Sequence, residues 1–228
     1  MPRQKLTLFD LDNTLLTGDS DVLWCDFLIK RGILDRNEFS VRNADMDTRY
    51  KAGTVQVREF SEFYVGTLTG RSVDDWQPLR SEFLASVIVP RIPQAARDLV
   101  REHQDLGDVV AITTATNRFI TELTAQHLNV EHLIATEAEI VAGIFSGRTE
   151  GQLNMREGKV LRLHAWLAAR GQTRADFEIT AYSDSINDLA LLQMADVPVA
   201  VDPDAKLAQW AAAGGHAILS LRQTVISH

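Results

Sequence analysis

Four short apolar segments of the chain each end in polar residues, as buried parallel strands do when functional loops lie at their carboxyl ends. They cover residues 6–9, 109–112, 177–182 and 197–201. Aliphatic and β-branched residues make up most of each segment. The pattern therefore predicts four buried strands of one sheet.

Between these strands, apolar residues recur at the spacing of one helix face. This pattern covers residues 94–103, 119–128, 160–169 and 189–195. Because strand and helix alternate, the sequence predicts an α/β fold with a doubly wound, mostly parallel, Rossmann-like sheet. Residues 137–148 add a predicted hairpin, with Gly143 and Gly147 among apolar residues.

The alternation breaks over about seventy residues after the first strand, a length that does not suit a simple loop in a compact domain. Apolar residues of this segment lie mostly at helical spacing. Pro90 and Pro93 mark the return to the alternating pattern. We therefore expect residues 18–89 to form an inserted α-helical cap, and residues 1–17 and 90–228 to form the α/β core.

Acidic side chains follow two of the predicted strands. Asp10 and Asp12 come after the first strand, and Asp184 and Asp188 follow the third. Each pair alone is more typical of a helix cap or a turn. Carboxylates beside an apolar strand end are costly unless a cation compensates them, and oxygen ligands with retained waters suit magnesium. Together, at the ends of strands of one sheet, the two pairs predict a cluster around one divalent cation.

Two further polar positions belong to the same edge of the sheet. Thr113 or Thr114 ends the second strand, where a hydroxyl would bond a phosphate oxygen or cap the next helix. Lys159 lies at the predicted start of a helix, where its charge opposes the helix dipole. A surface lysine is the ordinary expectation there, but an anionic partner would explain the placement.

Composition narrows the class of function. The 228 residues include 23 Lys and Arg against 31 Asp and Glu, a formal net charge of −8, so a nucleic-acid partner is not expected. The single cysteine, Cys25, fits a reducing cytoplasm. The N-terminal residues do not resemble a signal peptide, and no apolar run approaches the ~18 residues of a membrane span. We therefore expect a cytoplasmic protein without a membrane partner.

The order of these residues resembles that of the haloacid dehalogenase superfamily of phosphatases. The shared pattern is Asp-x-Asp-x-Thr, a strand-end threonine, a helix-start lysine and Asp-x-x-x-Asp. Its members here are Asp10, Asp12, Thr14, Thr114, Lys159, Asp184 and Asp188. The helical insertion after the first motif is similar to that of the phosphoserine-phosphatase-like subgroup. The resemblance extends from residue 6 to about residue 201.

The resemblance implies a Mg²⁺-dependent phosphomonoesterase that acts on a small phosphorylated metabolite. By matching position, Asp10 would be the nucleophile that forms an aspartyl-phosphate, and Asp12 the general acid and base. The Asp10 side chain, the Asp12 backbone carbonyl and Asp184 would bind the metal, with Asp188 acting directly or through water. Thr114 and Lys159 would bind the transferring phosphoryl oxygens.

The chain departs from the subgroup pattern at two core positions. The lysine is expected about two residues earlier, where this chain has Glu157. For Lys159 to take the role of that lysine, the turn before the helix would have to shift slightly, and Arg156 is the alternative residue for this role. Ser183 stands where a glycine usually precedes the last motif.

A third departure concerns the substrate. The cap arginine that would bind a substrate carboxylate is not at the comparable position, near Glu62, and Arg49 or Arg58 would have to replace it. Acidic residues are frequent at the entrance of the predicted cap. Such residues are typical of a solvated helical surface, but they would also suit a substrate with an amine or imidazole group. They are Asp19, Asp21, Asp26, Asp45, Asp47, Glu59 and Glu62.

Histidinol phosphate and phosphoserine are therefore both candidate substrates. Asp19 and Asn187 are candidate binding residues, and Asn187 resembles a family position that contacts phosphate or substrate. Three other functions stay open: a phosphotransferase that uses the same intermediate, a signalling receiver with a similar acidic cluster, and a non-catalytic phosphate-binding relative. The position of Asp10 on the first strand and the length of the chain argue against a receiver.

Overall fold

The computed structural model describes residues 3–51 and 56–222, apart from the side chains at positions 47, 50 and 51. A seven-stranded sheet with the order β4-β3-β2-β1-β5-β6-β7 forms its centre. The strands are β1 (Gln4–Phe9), β2 (Val109–Asn117), β3 (His132–Val141), β4 (Ile144–Glu150), β5 (Phe177–Ser183), β6 (Val197–Val201) and β7 (Ala217–Leu219). Neighbouring strands are parallel except β3 and β4. The predicted α/β fold with a mostly parallel sheet is thus confirmed.

Helices lie in the connections between the strands, except between β3 and β4. Within the described ranges the α-helices are α1 (Ser20–Lys30), α2 (Arg36–Lys51), α3 (Val57–Val65), α4 (Val73–Phe83), α5 (Gln94–Asp105), α6 (Arg118–His127), α7 (Glu157–Ala168), α8 (Leu189–Met194) and α9 (Ala205–Gly214). A π-helical turn, Leu84–Ile88, follows α4. None of the helices in these ranges combines the length and the apolar character that a bilayer crossing requires.

The two faces of the sheet are covered by different helices. Leu6 and Leu8 of β1 belong to an apolar cluster with residues of α7, α8 and α9. Phe9 and Ile112 belong to a second cluster, which includes residues of α5 and α6. Because side chains alternate along a strand, both faces of β1 are buried, as expected for a doubly wound sheet.

The segment α1 to α4 shares this second cluster with the sheet. Its largest buried side chains, Trp24, Trp76 and Phe83, pack in the same cluster as Phe9. A smaller cluster lies within the helical segment itself and contains Cys25, Met46, Phe63 and Tyr64. The helical segment therefore has a small core of its own, but its main apolar surface is buried against the sheet.

The β3–β4 hairpin, which was predicted within residues 137–148, extends from the sheet onto the helical segment. Its turn is formed by Ala142 and Gly143, both with positive φ, as a two-residue hairpin turn requires. Phe145 exchanges backbone hydrogen bonds with Gly70 and Arg71, at 3.0 Å each. The hairpin thus connects the sheet to the start of α4 through main-chain contacts.

The strand boundaries differ from the predicted ones in two places. Polar residues 113–117 lie inside β2 rather than after it, because Thr113, Thr114 and Asn117 pair with β3. The pattern also misses β7 and the first half of β3. Both segments are apolar over only three residues, which is too short for periodicity to detect.

Candidate active site

The carboxylate of Asp10 lies directly after β1 at the carboxyl edge of the sheet. The backbone N–H of Asp10 donates to the carbonyl of Tyr182 at 3.0 Å, which extends the β1–β5 pairing by one residue. Its Oδ1 accepts from Lys159 Nζ at 2.7 Å and its Oδ2 from Thr14 Oγ1 at 3.1 Å. Burial raises the pKa of Asp10 to about 7, with Lys159 opposing and neighbouring carboxylates adding to the shift.

The carboxylate of Asp12 is bonded on both oxygens. Oδ1 accepts from the backbone N–H of Ser20 at 2.8 Å and from its hydroxyl at 2.5 Å. Oδ2 accepts from Thr116 Oγ1 at 2.8 Å and from Thr114 Oγ1 at 3.3 Å. Burial and the nearby charge of Asp19 raise the pKa of Asp12 to about 6, although these donors oppose the rise.

Thr14 connects the first and last acidic motifs. Its hydroxyl lies 3.1 Å from Asp10 Oδ2 and 3.2 Å from Asp184 Oδ1, and it accepts from the backbone N–H of Asp184 at 3.1 Å. Burial and the charge of Asp10 raise the pKa of Asp184 to about 7. The two carboxylates are therefore held around one hydroxyl group, at the ends of the adjacent strands β1 and β5.

Lys159 is the buried cation of the site. Its ammonium is 2.7 Å from Asp10 Oδ1 and 2.7 Å from Asp188 Oδ2, and the residue is 2% exposed. Although burial opposes it, the contact with these two carboxylates raises the pKa of Lys159 above its ordinary value. The preceding Gly158 makes this position possible, because any Cβ there would clash with the backbone carbonyl of Leu153.

A divalent cation fits the charge and donor chemistry of this cluster. Asp10 and Asp188 contact the buried Lys159, and Asp184 is joined to Asp10 through Thr14. The pKa values of Asp10, Asp12 and Asp184 are all raised. No three His, Cys, Asp or Glu side chains converge as a complete cage anywhere in residues 3–51 and 56–222. Magnesium does not need such a cage, since it is usually bound by one or two carboxylates and retains waters. Asp10 and Asp184, joined through Thr14, form a suitable carboxylate pair.

The remaining predicted residues differ in their distance from the carboxylates. Thr114 is fully buried and contacts Asp12, whereas Thr113 accepts from Asn154 Nδ2 at 3.0 Å. Asn187 is exposed in the turn Ile186–Asp188. Asp19 is exposed at the N-cap of α1, where it accepts from a backbone N–H.

Two residues that contact Asp12 were missed by the sequence analysis. Thr116 lies two positions after Thr114 in β2, so strand alternation would have placed both hydroxyls on the same face. Ser20 lies at the start of α1, a position that serine occupies in many helices without any catalytic contact. For Ser20 the sequence therefore carries no distinguishing signal.

The charged residues expected at the cap entrance have several different environments. Arg49 forms ion pairs with Asp45 and Glu59, at 3.6 and 2.6 Å. Arg58 and Glu62 both bond Thr149 of β4. The exposed Asp26 lies on α1, and the side chain of Asp47 lies outside the described residues. Neither arginine is left as an obvious binder of a substrate carboxylate.

Proteins of known sequence resemble this chain over nearly its whole length. A histidinol-phosphatase from Neisseria meningitidis serogroup C (strain 8013) is 36% identical over 221 residues, which cover 96% of this chain and 100% of that protein. The phosphoserine phosphatase SerB1 of Mycobacterium tuberculosis (strain ATCC 25618 / H37Rv) is 31% identical, covering 94% of this chain and 70% of that protein.

Solved structures share the fold. A protein of unknown function from Bordetella pertussis Tohama I superposes with a TM-score of 0.93 at 41% identity, covering 97% of this chain and 100% of that one. A substrate-bound phosphoserine phosphatase superposes with a TM-score of 0.67 at 16% identity, covering 99% and 96%, which shows the fold alone. The family model for haloacid dehalogenase-like hydrolases matches residues 7–193. The chain therefore belongs to the haloacid dehalogenase-like hydrolase family.

Proposed function

We propose that this chain is a Mg²⁺-dependent phosphatase that hydrolyses a small phosphorylated metabolite. The observation that carries the proposal is the position of the Asp10 carboxylate. One of its oxygens is bonded by a buried lysine, and the other is linked through Thr14 to Asp184. A carboxylate that attacks a phosphate dianion needs positive charge beside it, and Lys159 supplies part of that charge.

Asp10 attacks the phosphorus atom and forms an aspartyl-phosphate, while the bond to the leaving alcohol breaks. Asp12 donates a proton to the leaving oxygen and later removes one from the water that hydrolyses the intermediate. Its pKa of about 6 suits both steps near neutral pH. Lys159 and Thr114 bind the transferring phosphoryl oxygens.

Magnesium supplies further charge neutralisation and orients the phosphoryl group. The Asp10 and Asp184 side chains and the Asp12 carbonyl would hold it, with Asp188 contributing directly or through water. In this structure the Asp188 carboxylate is bonded by Lys159 and by Ser183 Oγ, each at 2.7 Å, so a water-mediated contact suits it better.

Residues 18–89 act as the cap in this proposal, with residues 1–17 and 90–228 as the catalytic core. Ser20 at the start of α1 contacts Asp12, so the cap begins at the site itself. The single cysteine, Cys25, is buried and unbridged, which suits a reducing cytoplasm.

Histidinol phosphate is the favoured substrate and phosphoserine the second candidate. The relative named histidinol-phosphatase is the more similar of the two and is covered completely. Arg49 and Arg58 are engaged with Glu59 and Thr149, so neither of these two arginines is an evident partner for the carboxylate of phosphoserine. Asp19 and Asn187 are the exposed polar residues proposed to contact the substrate.

A panel of phosphorylated metabolites, assayed for released phosphate with Mg²⁺ and with excess chelator, tests the proposal. We expect turnover with Mg²⁺, its loss in chelator, and less than about 1% of the parental rate for Asp10→Asn. Asp105→Asn, which removes an exposed carboxylate at the end of α5, is the matched control. Parental rates in Asp10→Asn would refute Asp10 as the nucleophile.

The competing functions give different results in the same assay. A phosphotransferase would form a new phosphate ester when acceptor alcohols are added, and product analysis detects it. A receiver-like or non-catalytic phosphate-binding protein would release no phosphate from any member of the panel. Turnover that persists undiminished in excess chelator would contradict the metal assignment.

A further inference from the structure

A hydrogen-bond acceptor and a donor on α1 are both buried without partners. Asp21 Oδ1 and Trp24 Nε1 have no hydrogen-bond partner among the described residues, and Trp24 is 0% exposed. Nearly all buried polar groups in folded proteins are bonded, so two unbonded groups together need an explanation. The two residues are three positions apart and are therefore neighbours on one face of the helix.

Trp76 shows that an indole N–H in the same cluster can be bonded. Its Nε1 donates to the carbonyl of Leu68 at 3.0 Å, and its ring packs edge-on against Trp24 at 5.6 Å between centroids. Asp21 forms no ion pair in the part of the chain that the structure describes, and the only hydrogen bond of its side chain there is the one that Thr116 Oγ1 donates to Oδ2 at 3.4 Å. The fold can therefore supply an acceptor to an indole N–H in this cluster, but among the described residues it supplies none to that of Trp24.

This pair lies on the side of the site where the leaving alcohol would be. Thr116 Oγ1 is 2.8 Å from Asp12 Oδ2 and 3.4 Å from Asp21 Oδ2, so the two carboxylates are one hydroxyl group apart. Ser20, the residue before Asp21, donates to the other oxygen of Asp12. A leaving group that receives a proton from Asp12 would thus extend toward Asp21.

The chemistry of the pair restricts what can bind there. A carboxylate oxygen requires a donor or a cation, and an indole N–H requires an acceptor. A primary ammonium group satisfies only the first requirement. Burial and the charges of Asp19 and Asp12 already raise the pKa of Asp21, so a carboxylate ligand would add an unfavourable negative charge there. An azole ring carries both an N–H donor and a nitrogen acceptor, so it satisfies both.

We propose, on the basis of the function proposed above, that Asp21 and Trp24 determine specificity by binding an azole ring on the leaving alcohol of a phosphate monoester. The ring N–H donates to Asp21 Oδ1, and its other nitrogen accepts from Trp24 Nε1. Because both protein atoms are buried in the ligand-free chain, the ring reaches them only when the first turns of α1 move away from Thr116.

Steady-state kinetics on three substrates test this inference, with histidinol phosphate as the azole ester, phosphoethanolamine as an amine without a ring, and p-nitrophenyl phosphate as the neutral reference. The variants are Asp21→Ala, which removes both the charge and the acceptor, and Trp24→Phe. The first control is Asp26→Ala, which removes an exposed carboxylate from the same helix, and the second is Trp76→Phe, which removes a bonded indole N–H.

The measured quantity is the ratio of kcat/KM for histidinol phosphate to kcat/KM for p-nitrophenyl phosphate. We expect it to fall about tenfold or more in both variants, mainly through KM, and to stay within about twofold in both controls. The ratio of kcat/KM for phosphoethanolamine to kcat/KM for p-nitrophenyl phosphate should fall less than the ratio for histidinol phosphate. Circular dichroism verifies that each variant is folded, and Asp21→Ala alone decides the result if Trp24→Phe unfolds.

Three results would overturn the inference. Equal losses on the azole and reference substrates would indicate a structural role, and equal losses on phosphoethanolamine and histidinol phosphate would indicate a charge effect alone. A parent protein that hydrolyses p-nitrophenyl phosphate but not histidinol phosphate would reject the azole while leaving the phosphatase proposal standing. If the parent hydrolyses none of the three with Mg²⁺, the proposed function fails and the inference with it.

Discussion

Replacing Lys159 with methionine removes the one buried cation that contacts Asp10 and Asp188. Methionine has a similar volume, so the change acts chiefly on charge. The two carboxylates would lose 2.7 Å contacts and, among the described residues, keep only hydroxyl donors, Thr14 for Asp10 and Ser183 for Asp188. Removing one partner of a buried ion pair costs about 3–5 kcal/mol, which corresponds to a lowering of Tm by roughly 6–20 °C for a chain of this size.

The loss of stability in Lys159→Met should grow as the pH rises. The pKa of Asp10 is already raised to about 7, and without Lys159 it would rise further. A carboxyl group whose pKa is raised on folding stabilises the protein below its unfolded pKa, and this contribution is lost as pH rises through the folded pKa. At pH 6 Asp10 of the variant can be protonated, which relieves the cost of burying an unpaired carboxylate. At pH 8 it is protonated less completely, so more of this cost remains.

Thermal unfolding in chelator at pH 6 and pH 8, followed by circular dichroism, measures this effect. Lys206→Met, which removes an exposed lysine from the first turn of α9, is the matched control. Phosphate release with Mg²⁺ should fall at least about 100-fold in Lys159→Met and little in the control. If the Tm of Lys159→Met at pH 8 differed from that of the parent by no more than the Tm of Lys206→Met does, the buried contacts of Lys159 would contribute no net stability.

Three further predictions concern other parts of the chain. Burial and neighbouring acids raise the pKa of Cys25, so native protein should not react with a thiol reagent at pH 8 while unfolded protein reacts at once. Although burial opposes it, the Ile179 N–H and two arginines lower the pKa of Asp196. The Asp196 carboxylate therefore stabilises the fold above its unfolded pKa and loses this effect as the pH falls. Asp196→Asn should reduce the urea midpoint at pH 7 and much less near pH 3. Gly147→Ala should lower Tm by several degrees more than Gly143→Ala, since both have positive φ but only a Cβ at Gly147 would clash with Thr69.

The sheet and the convergence of the acidic motifs were accessible from the sequence. Apolar runs that end in polar residues predicted β1, β2, β5 and β6, and the structure has a strand at each. Parallel strands place their carboxyl ends at one edge, so Asp10 and Asp184 had to lie close once β1 and β5 were adjacent. The sequence could not supply that adjacency, which depends on how the helices pack on both faces.

The side chains around the carboxylates were harder to predict. Ser20 and Thr116 contact Asp12 because the start of α1 and the end of β2 meet there, and no periodic pattern encodes such a meeting. The placement of Lys159 likewise depends on the close approach of Gly158 to Leu153, a tertiary contact. Local propensity and periodicity describe single elements, so contacts between elements escape them.

Asp12 connects the helical segment to the chemistry more directly than any apolar contact does. Its carboxylate accepts four hydrogen bonds, two from Ser20 on α1 and two from Thr114 and Thr116 on β2. A carboxylate has about four lone-pair sites, so all of them are engaged in the ligand-free chain. In the mechanism proposed above, a proton can pass between Asp12 and a leaving oxygen only after one of these donors is displaced. The Ser20 N–H is a backbone donor, so displacing it requires the start of α1 to move. The hydroxyls of Ser20, Thr114 and Thr116 can instead rotate away about their side-chain bonds while the backbone stays in place.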